Sequence, residues 1–462
     1  MQAGRQAETG WRAPAAGAAV RASVRLPGSK SITNRALILA ALSDQPTVIS
    51  GPLQARDTSL MAAAVAALGA TIATDDTGRD WLVTPGWRTG HASVDVGNAG
   101  TVLRFVPPVA ALASADVEFH GDPRAAQRPV WPLLSGLRQL GVQVDDDGRG
   151  AVPFIVRGRG AVPGGAVTVD ASSSSQLVSG LLLAAARYDK GAEIRHEGPP
   201  VPSAPHLAMT VAMLRAAGAE VQTAHGGTSA HGNARASGND SGSGNDSGES
   251  RLVPDLWRVY PGPLRPGSIT VEPDLSNAAP FLAAALITGG EVTIDGWPAR
   301  SLQAGDQIAA VFGQLGASFT AAADGMTVAG TGTIRGITAD LRDIGELTPV
   351  LTAVAALAEG PSRFTGIGHL RLHETDRLAA LASEIGRLGG QVSELPDGLE
   401  VQPRPLRAAA EAFDSHDDHR LVMAAAVLGL AVPGLRVHNA ATVGKTFPEF
   451  IGLWQQMLGS PP

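Results

Sequence analysis

The sequence predicts an α/β protein with two domains, each built from three copies of one supersecondary unit. The first observation is a recurring phrase, an amphipathic helix pattern that stops at a glycine and is followed by an alternating strand pattern. The second is the nearly constant spacing of that phrase along the chain. The third is the length of 462 residues, which is more than one hydrophobic core usually serves.

The phrase occurs at 61–74, 134–147, 211–223, 308–322 and 381–394. Its stop glycines are 72, 77, 98 and 73 residues apart, and they are Gly69, Gly141, Gly218, Gly316 and Gly389. A common period of about 75 residues indicates one unit copied several times. A sixth unit would end in the buried helix pattern at 420–432, which lacks the stop phrase. Six units favour two domains of three.

Two segments stand outside this pattern. Residues 224–250 are rich in Gly, Ser, Asn and Asp and nearly devoid of apolar side chains, which predicts a disordered surface insertion and explains the single long interval. A partner-binding segment is the alternative. Residues 1–17 have no continuous apolar stretch, so they are not a secretory signal, and we expect a flexible extension rather than a weak transit peptide.

The composition excludes several classes of protein. Hydrophobic residues make up 44% of the chain, charged residues 17%, and the net charge is −7, so no basic surface for nucleic acid is expected. The absence of cysteine excludes disulfides, thiolate zinc sites and a cysteine nucleophile, and it fits a reducing compartment. No apolar run reaches the roughly 18 residues of a membrane span. We therefore expect a cytoplasmic protein.

Polar clusters recur at the N-terminal ends of apolar helix patterns. In PGSKSITNR, Lys30, Ser31 and Arg35 surround a turn whose amides would point along a helix start, an arrangement that suits phosphate or carboxylate. In VGNAGTVLR, Gly100 leaves room for a ligand, and Arg104 would contact it or cap the helix. The alternative for each cluster is a capped helix with solvated charges.

Two further clusters offer hydrogen-bond donors and cations. Arg124 and Arg128 lie in HGDPRAAQRPV, before a helix that starts with proline. Ser174, Ser175 and Gln176 begin a strongly apolar helix, which argues against a flexible serine linker. Neutral donors of this type suit sugar hydroxyls and phosphate oxygens.

The last clusters bring acids beside cations. Asp343 and Glu346 lie one turn apart at a helix start, where they would act as a base or as N-terminal caps. HETDR contains Glu374 and Arg377. DSHDDHR resembles a metal cluster superficially, but no second ligand cluster accompanies it, and we expect no metal. If the units are copies, these helix ends converge on a positive cleft for anionic substrates, with Lys30, Arg35, Arg128, Arg377, Arg420 and Lys445.

Taken together, the motifs resemble the 5-enolpyruvylshikimate-3-phosphate synthase family. The matching motifs are PGSKSITNR, GNAGT with Arg104, DPRAAQRP, SSSQ, HETDR, DDHR and GKTFPEF, and they span 27–450 in the family's order. The resemblance implies an inverse α/β barrel in each of two domains, with three βαβαββ units around a pseudo-threefold axis. It also implies domain limits of 29–272 for one domain and 18–28 plus 273–462 for the other.

The resemblance further implies transfer of the enolpyruvyl group of phosphoenolpyruvate to the 5-hydroxyl of shikimate 3-phosphate, with no cofactor. By motif position, shikimate 3-phosphate would contact Lys30, Ser31, Arg35, Ser174, Ser175, Gln176, Ser203, Glu346 and His373. Phosphoenolpyruvate would contact Lys30, Asn98, Gly100, Arg128, Gln176, Arg377, Arg420 and Lys445. The catalytic set would be Glu346 as proton acceptor, with Asp343 in reserve, Glu374 and Lys445 for the methylene carbon, and Lys30. We expect a monomer whose partners are these substrates alone.

Some positions depart from the common family pattern. His373 replaces a frequent lysine, His369 a frequent asparagine, His206 a frequent tyrosine, and Glu346 an aspartate. Because histidine titrates near neutral pH, we expect the affinity for the phosphate end to fall above about pH 7.

Three rival functions stay open at this point. The related UDP-N-acetylglucosamine enolpyruvyl transferases usually carry a loop cysteine, which this chain lacks. A metal-dependent phosphohydrolase built on the HDDH cluster would lose its activity to chelators. An anion-binding protein without activity would explain the cations but not the acids beside them.

Overall fold

The computed structural model describes residues 10–76, 78–225 and 254–459. The strands of these residues form six sheets, of which five have four strands and one has three. The predicted insertion therefore lies outside the described residues, except for Ala224 and His225. Ala224 is paired with Leu256, so the prediction of disorder from 224 onward is wrong at its first residue.

Three sheets belong to the first half of the molecule, whose hydrophobic core lies between Ile32 and Val271. The strands are given in their order within each sheet. The first sheet contains β14 (Ser268–Thr270), β3 (Thr47–Ser50), β5 (Asp80–Thr84) and β4 (Thr71–Thr74), and the second contains β6 (Ala92–Asp95), β7 (Asp116–His120), β9 (Phe154–Arg157) and β8 (Gln143–Asp145). The third contains β10 (Gly165–Val169), β11 (Ala192–His196), β13 (Leu256–Val259) and β12 (Val221–Ala224). Each sheet has one parallel pair followed by two antiparallel pairs.

The other three sheets belong to the second half, whose core combines 13–26 with 275–457. The first of these sheets contains β16 (Ser318–Ala322), β17 (Gly325–Ala329), β15 (Glu291–Asp295) and β2 (Arg21–Arg25). The second contains β18 (Thr338–Asp340), β19 (Ser362–Thr365), β21 (Gly398–Gln402) and β20 (Gln391–Leu395). The third contains β1 (Trp11–Arg12), β23 (Arg436–His438) and β22 (Phe413–Asp414). The repeated strand order confirms the copied unit that the glycine spacing predicts.

Two helices accompany each sheet. Those of the first half are α1 (Lys30–Ala41), α2 (Arg56–Ala67), α3 (Gly100–Ala110), α4 (Trp131–Gln139), α5 (Gln176–Ala185) and α6 (Ala204–Ala216). Those of the second half are α7 (Ala279–Thr288), α8 (Gly305–Leu315), α9 (Thr348–Ala356), α10 (Arg377–Arg387), α11 (His419–Gly429) and α12 (Phe450–Met457). No helix in the described ranges is both long and apolar enough to cross a bilayer.

The odd-numbered helices α1, α3 and α5 pack against one another inside the first half, and α7, α9 and α11 do the same in the second. They are buried along almost their whole length, because the sequence gives them apolar residues on every face. The sheets surround them. Lys30, Gly100 and Gln176, the first residues of α1, α3 and α5, line one common cleft, so the N-terminal ends of these helices meet at one surface.

The chain passes between the halves twice. Strand β2 precedes α1 but pairs with β15 of the second half, whereas β14 follows the first half in sequence and pairs with β3. The two crossings lie side by side, since the Ser29 amide donates to Glu272 O at 2.8 Å and the Asp274 amide to Pro27 O at 2.9 Å. A Cβ at Gly28 would lie 2.3 Å from Gly51 O, so only glycine fits this crossing.

The N-terminal segment is a correction to the sequence prediction. Residues 1–9 lie outside the described part, but Trp11 and Arg12 of the predicted flexible extension pair with Val437 and Arg436. Ala13 is buried in the core of the second half. The segment has too few apolar residues to signal a strand by itself, and it is held by the open edge of β23.

Candidate active site

A cleft between the two halves collects most of the predicted site residues. Those that line it are Lys30, Ser31, Gly100, Arg128, Ser174, Ser175, Gln176, Ser203, Glu346, His373, Glu374, Arg377 and Arg420. Lys445 and Asn98 lie directly behind this lining, because Lys445 Nζ is 3.5 Å from Glu374 Oε1 and donates to Asn98 O at 3.3 Å. The structure thus brings together predicted residues from five of the six units.

Arg35 does not line the cleft. Its guanidinium is 1% exposed and donates to Thr210, to Ser31 O at 2.9 Å and to His206 O at 3.1 Å. The carbon of the guanidinium also lies 5.0 Å from the centre of the Phe105 ring. Burial lowers the pKa of Arg35 to about 9. This arginine therefore supports Ser31 from behind, and the prediction that it contacts substrate does not match its position here.

The first half presents helix starts to the cleft. Lys30 is the first residue of α1 and lies 3.3 Å from Asp57, while Gln176 begins α5 and accepts a hydrogen bond from Arg104 at 3.2 Å. A cation at a helix N-terminus opposes the helix dipole unless an anion joins it. The arrangement of these helix starts favours a bound anion.

The cations of the two halves converge on one carboxylate. Glu374 is 3.1 Å from Arg377, 3.5 Å from Lys445 and 3.9 Å from Arg128 of the first half. Burial alone would raise the pKa of Glu374, but the cations Lys445, Arg128 and Arg377 outweigh burial and hold it well below its usual range. Glu374 is therefore ionised.

Asp418 orders the second-half arginines. Its side chain accepts from Arg377 Nε at 2.7 Å and from the Arg420 amide at 2.8 Å, so it caps α11 and fixes Arg377 together. Arg420 donates both to Ser276 O and to Ser276 Oγ at 2.9 Å. Three units of the second half are joined by these contacts.

The two acids of the DIGE motif point in different directions. Glu346 lines the cleft, and its Oε1 lies 3.6 Å from His206 Nε2 of the first half. Asp343 Oδ1 accepts from the amide of Ala204 at 3.2 Å, at the start of α6, and burial raises the pKa of Asp343. Asp343 is absent from the cleft lining, and it instead caps the start of α6 from the other half of the molecule.

The histidines at unusual positions cluster near the acids. The His373 and His369 rings are 5.6 Å apart, and His373 Nδ1 lies 3.3 Å from Arg377. Burial, reinforced by the positive charge of Arg377, lowers the pKa of His373 well below 6.5. His373 of the unliganded protein is thus neutral across pH 7 to 8. A loss of affinity for the phosphate end above about pH 7 requires the bound phosphate to raise this pKa, and that loss stays a prediction.

Several cleft residues were missed by the motif analysis. Asp274 and Ser276 line the cleft, and Asp274 accepts from the amide of Lys30 at 3.2 Å. Their sequence, DLSN before an apolar helix, has the same polar start as the other units, so the repeat itself could have identified them. His419, which belongs to the DSHDDHR motif but received no role there, also lines the cleft. In the described residues no group of three or more His, Cys, Asp or Glu side chains could hold a metal ion.

Comparison with known proteins agrees with this geometry. A sequence model of the family described as EPSP synthase (3-phosphoshikimate 1-carboxyvinyltransferase) matches residues 14–243 and 249–454. The chain belongs to the EPSP synthase family. A 3-phosphoshikimate 1-carboxyvinyltransferase of Kocuria rhizophila is 46% identical to it over 460 residues, covering 97% of both chains.

Solved structures support the fold that this family membership implies. An EPSP synthase from Acinetobacter baumannii superposes with a TM-score of 0.74 at 23% identity, covering 96% of this chain and 97% of that one. The enolpyruvyl transferase NikO from Streptomyces tendae gives a TM-score of 0.70 at 16% identity, with 97% of each chain covered. The predicted α/β class is confirmed.

Proposed function

We propose that this protein transfers the enolpyruvyl group of phosphoenolpyruvate to the 5-hydroxyl of shikimate 3-phosphate, giving 5-enolpyruvylshikimate 3-phosphate and phosphate on the route to chorismate. The EPSP synthase family and the Kocuria relative's name support this assignment. The observation that carries it is the convergence of Arg128, Arg377 and Lys445 from both halves on the buried Glu374. This convergence supports a site that binds a multiply charged small anion beside an acid–base group.

Phosphoenolpyruvate fits the cation-rich end of the cleft. We assign its contacts to Lys30, Asn98, Gly100, Arg128, Gln176, Arg377, Arg420 and Lys445. A Cβ at Gly100 would lie 2.6 Å from Arg128 and 2.9 Å from Arg104, so glycine keeps these guanidinium groups close to the helix start. Asn98 contributes through Arg128, which donates to Asn98 O at 2.8 Å.

Shikimate 3-phosphate fits the hydroxyl-rich end. We assign its contacts to Lys30, Ser31, Ser174, Ser175, Gln176, Ser203, Glu346 and His373, with Arg35 supporting Ser31 from behind. Serine hydroxyls and amides at the start of α5 suit a phosphate, because they donate hydrogen bonds without the cost of burying another charge.

Glu346 is our candidate for the proton acceptor. It lines the cleft, whereas Asp343 is engaged by the amide of Ala204. As the 5-hydroxyl oxygen bonds to C2 of phosphoenolpyruvate, its proton passes to Glu346, and C3 takes a proton from the opposite side of the site. The C2–O bond to phosphate then breaks as C3 loses a proton, which restores the double bond.

Glu374 and Lys445 are our candidates for the proton at C3. Glu374 is ionised in the unliganded protein because three cations surround it. Phosphoenolpyruvate would neutralise those cations, so its binding would raise the pKa of Glu374 and let it carry the proton in the addition step. The restored carboxylate then removes a proton from C3 in the elimination step.

We further propose that residues 29–272 and the segments 18–28 and 273–462 act as domains that close around the substrates, with the paired crossings as the hinge. The reaction calls for no cofactor. We expect a cytoplasmic monomer whose partners are its two substrates.

Phosphate release from the purified protein in the presence of EDTA tests the function. We expect release only when phosphoenolpyruvate and shikimate 3-phosphate are both present. Release with UDP-N-acetylglucosamine instead would assign the related transferase activity, and loss of release in EDTA would indicate a metal enzyme.

In the same phosphate-release assay, we expect E346Q to lower kcat by about 10²- to 10⁴-fold and D343N to lower it by far less. The reverse order of the two effects would make Asp343 the base.

A further inference from the structure

A strained turn lies directly before the first turn of α11. His416 and Asp417 have φ values of 48° and 55°, a left-handed conformation that is unfavourable for residues other than glycine. Asp418, His419 and Arg420 follow at once, and they cap α11 or line the cleft. Such strain persists only where the surrounding contacts fix the backbone.

A buried carboxylate on α10 fixes one side of this turn. Glu384 is 3% exposed, and its oxygens accept from the amide of Asp414 at 3.0 Å and lie 3.2 Å from His416 Nε2. Arg387 donates to both oxygens, at 3.1 and 2.9 Å. The amide of His416 also donates to Asp414 Oδ1 at 2.8 Å. Glu384 thus holds the turn at two points.

The other side of the turn is held by the segment that leads to Lys445. Asn439 donates from its side chain to Asp417, and Thr442 Oγ1 donates to Asp417 O at 3.2 Å. Ser415 Oγ donates back to Asn439 O at 3.3 Å. A short 3-10 helix then runs from Ala440 to Lys445.

The turn therefore joins three elements that each carry a cation of the cleft. Arg377 and Glu384 are seven residues apart on α10, which places them on one face of that helix, and Arg377 donates to Asp418. Arg420 belongs to α11, and Lys445 ends the 3-10 helix. A shift of the turn would move all three cations relative to one another.

We propose that Glu384 and His416 are positioning residues for the phosphoenolpyruvate end of the site, acting through the strained turn 414–418. The proposal rests on the proposed function, since it assigns these cations to phosphoenolpyruvate. Neither side chain lines the cleft. Most residues assigned to the shikimate 3-phosphate end lie in the first half, at the starts of α1, α5 and α6, so we expect its affinity to depend much less on the turn's geometry.

The test is steady-state kinetics of E384Q, H416A and H416G beside the wild type, with the thermal unfolding midpoint of each. We expect H416A and E384Q to raise the KM for phosphoenolpyruvate by about tenfold, as for the loss of one hydrogen bond to a charged group, and the KM for shikimate 3-phosphate by less than about twofold. The KM for phosphoenolpyruvate of the H416A/E384Q double variant should resemble that of the single variants, because both changes break the same contact between His416 and Glu384.

H416G separates strain from contact, because glycine adopts the left-handed conformation freely but lacks the imidazole. We expect its KM for phosphoenolpyruvate to rise as in H416A. D147A is the matched control, since Asp147 also has a positive φ, 49°, and lies outside the cleft lining. It should leave both KM values unchanged.

The outcomes separate the two proposals. A wild type without turnover would overturn the proposed function itself. An active wild type with H416G and E384Q of unchanged KM, or with equal rises in both KM values, would overturn the positioning role and leave the function intact.

Discussion

Two buried arginines on opposite walls of the cleft, Arg104 and Arg377, have different hydrogen-bond partners. In the first half, the partners of the Arg104 guanidinium among the described residues are Gly100 O, Pro129 O and the side chain of Gln176, all neutral groups. In the second half Arg377 donates to two carboxylates, Asp418 and Glu374. Both guanidinium groups are buried to a similar degree, so the difference lies in their partners and not in their exposure.

The pKa values follow the partners. Burial lowers the pKa of Arg104 to about 9, and the nearby Arg128 adds to this effect. Burial also opposes the charge on Arg377, but Asp418 and Glu374 outweigh burial and raise its pKa. The charge of Arg104 is therefore left for a substrate anion to neutralise, whereas Arg377 is held in place by carboxylates of the protein itself.

Removing the central anion should have the largest effect. E374Q keeps the shape of Glu374 but cannot carry the proton for C3, so we expect kcat to fall by about 10³-fold. The KM for phosphoenolpyruvate should not rise, because the substituted side chain no longer competes for Lys445, Arg128 and Arg377. Steady-state phosphate release measures both, with E359Q at an exposed position as the control. More than a tenth of the wild-type kcat would remove Glu374 from the proton path.

The comparison of the two arginines predicts opposite effects on stability. R377Q leaves Asp418 without its charged partner, so we expect the free energy of unfolding to fall by about 3 to 5 kcal/mol. R104M removes a buried charge that has no carboxylate bonded to it, so the free energy of unfolding should change by less than about 1 kcal/mol, while the KM for phosphoenolpyruvate rises. Urea unfolding of both variants measures these changes in the free energy of unfolding. Equal losses of stability would show that the difference in partners between Arg104 and Arg377 has no energetic consequence.

The repeat made much of the fold predictable from the sequence. Stop glycines such as Gly69 and Gly316 have φ values of 120° and 117°, which glycine tolerates best, so the period survives in the sequence. The helix starts were predictable because polar clusters recur before the apolar helix patterns. The strand pairing of Trp11 with Val437 was not, because it depends on an edge that forms only when the second half folds.

The directions of side chains could not be read from the motifs. Glu346 and Asp343 are three residues apart, but only Glu346 lines the cleft, because the amide of Ala204 in the other half engages Asp343. Arg35 likewise belongs to the helix-start motif but is turned into the core by Thr210 and Ser31. The direction of each of these side chains is therefore determined by contacts between units that are distant in the sequence.

The smallest effect concerns His373, one of the titratable histidines of the second wall. H373K should bind shikimate 3-phosphate about fivefold more tightly than the wild type at pH 8, where the histidine is neutral and the lysine charged. Because the bound phosphate favours the protonated histidine, the wild type should gain affinity relative to H373K as the pH falls toward 6. Calorimetric titration of both proteins at each pH cancels the titration of the phosphate itself. A ratio of affinities that stays at one throughout would show that His373 does not face the phosphate.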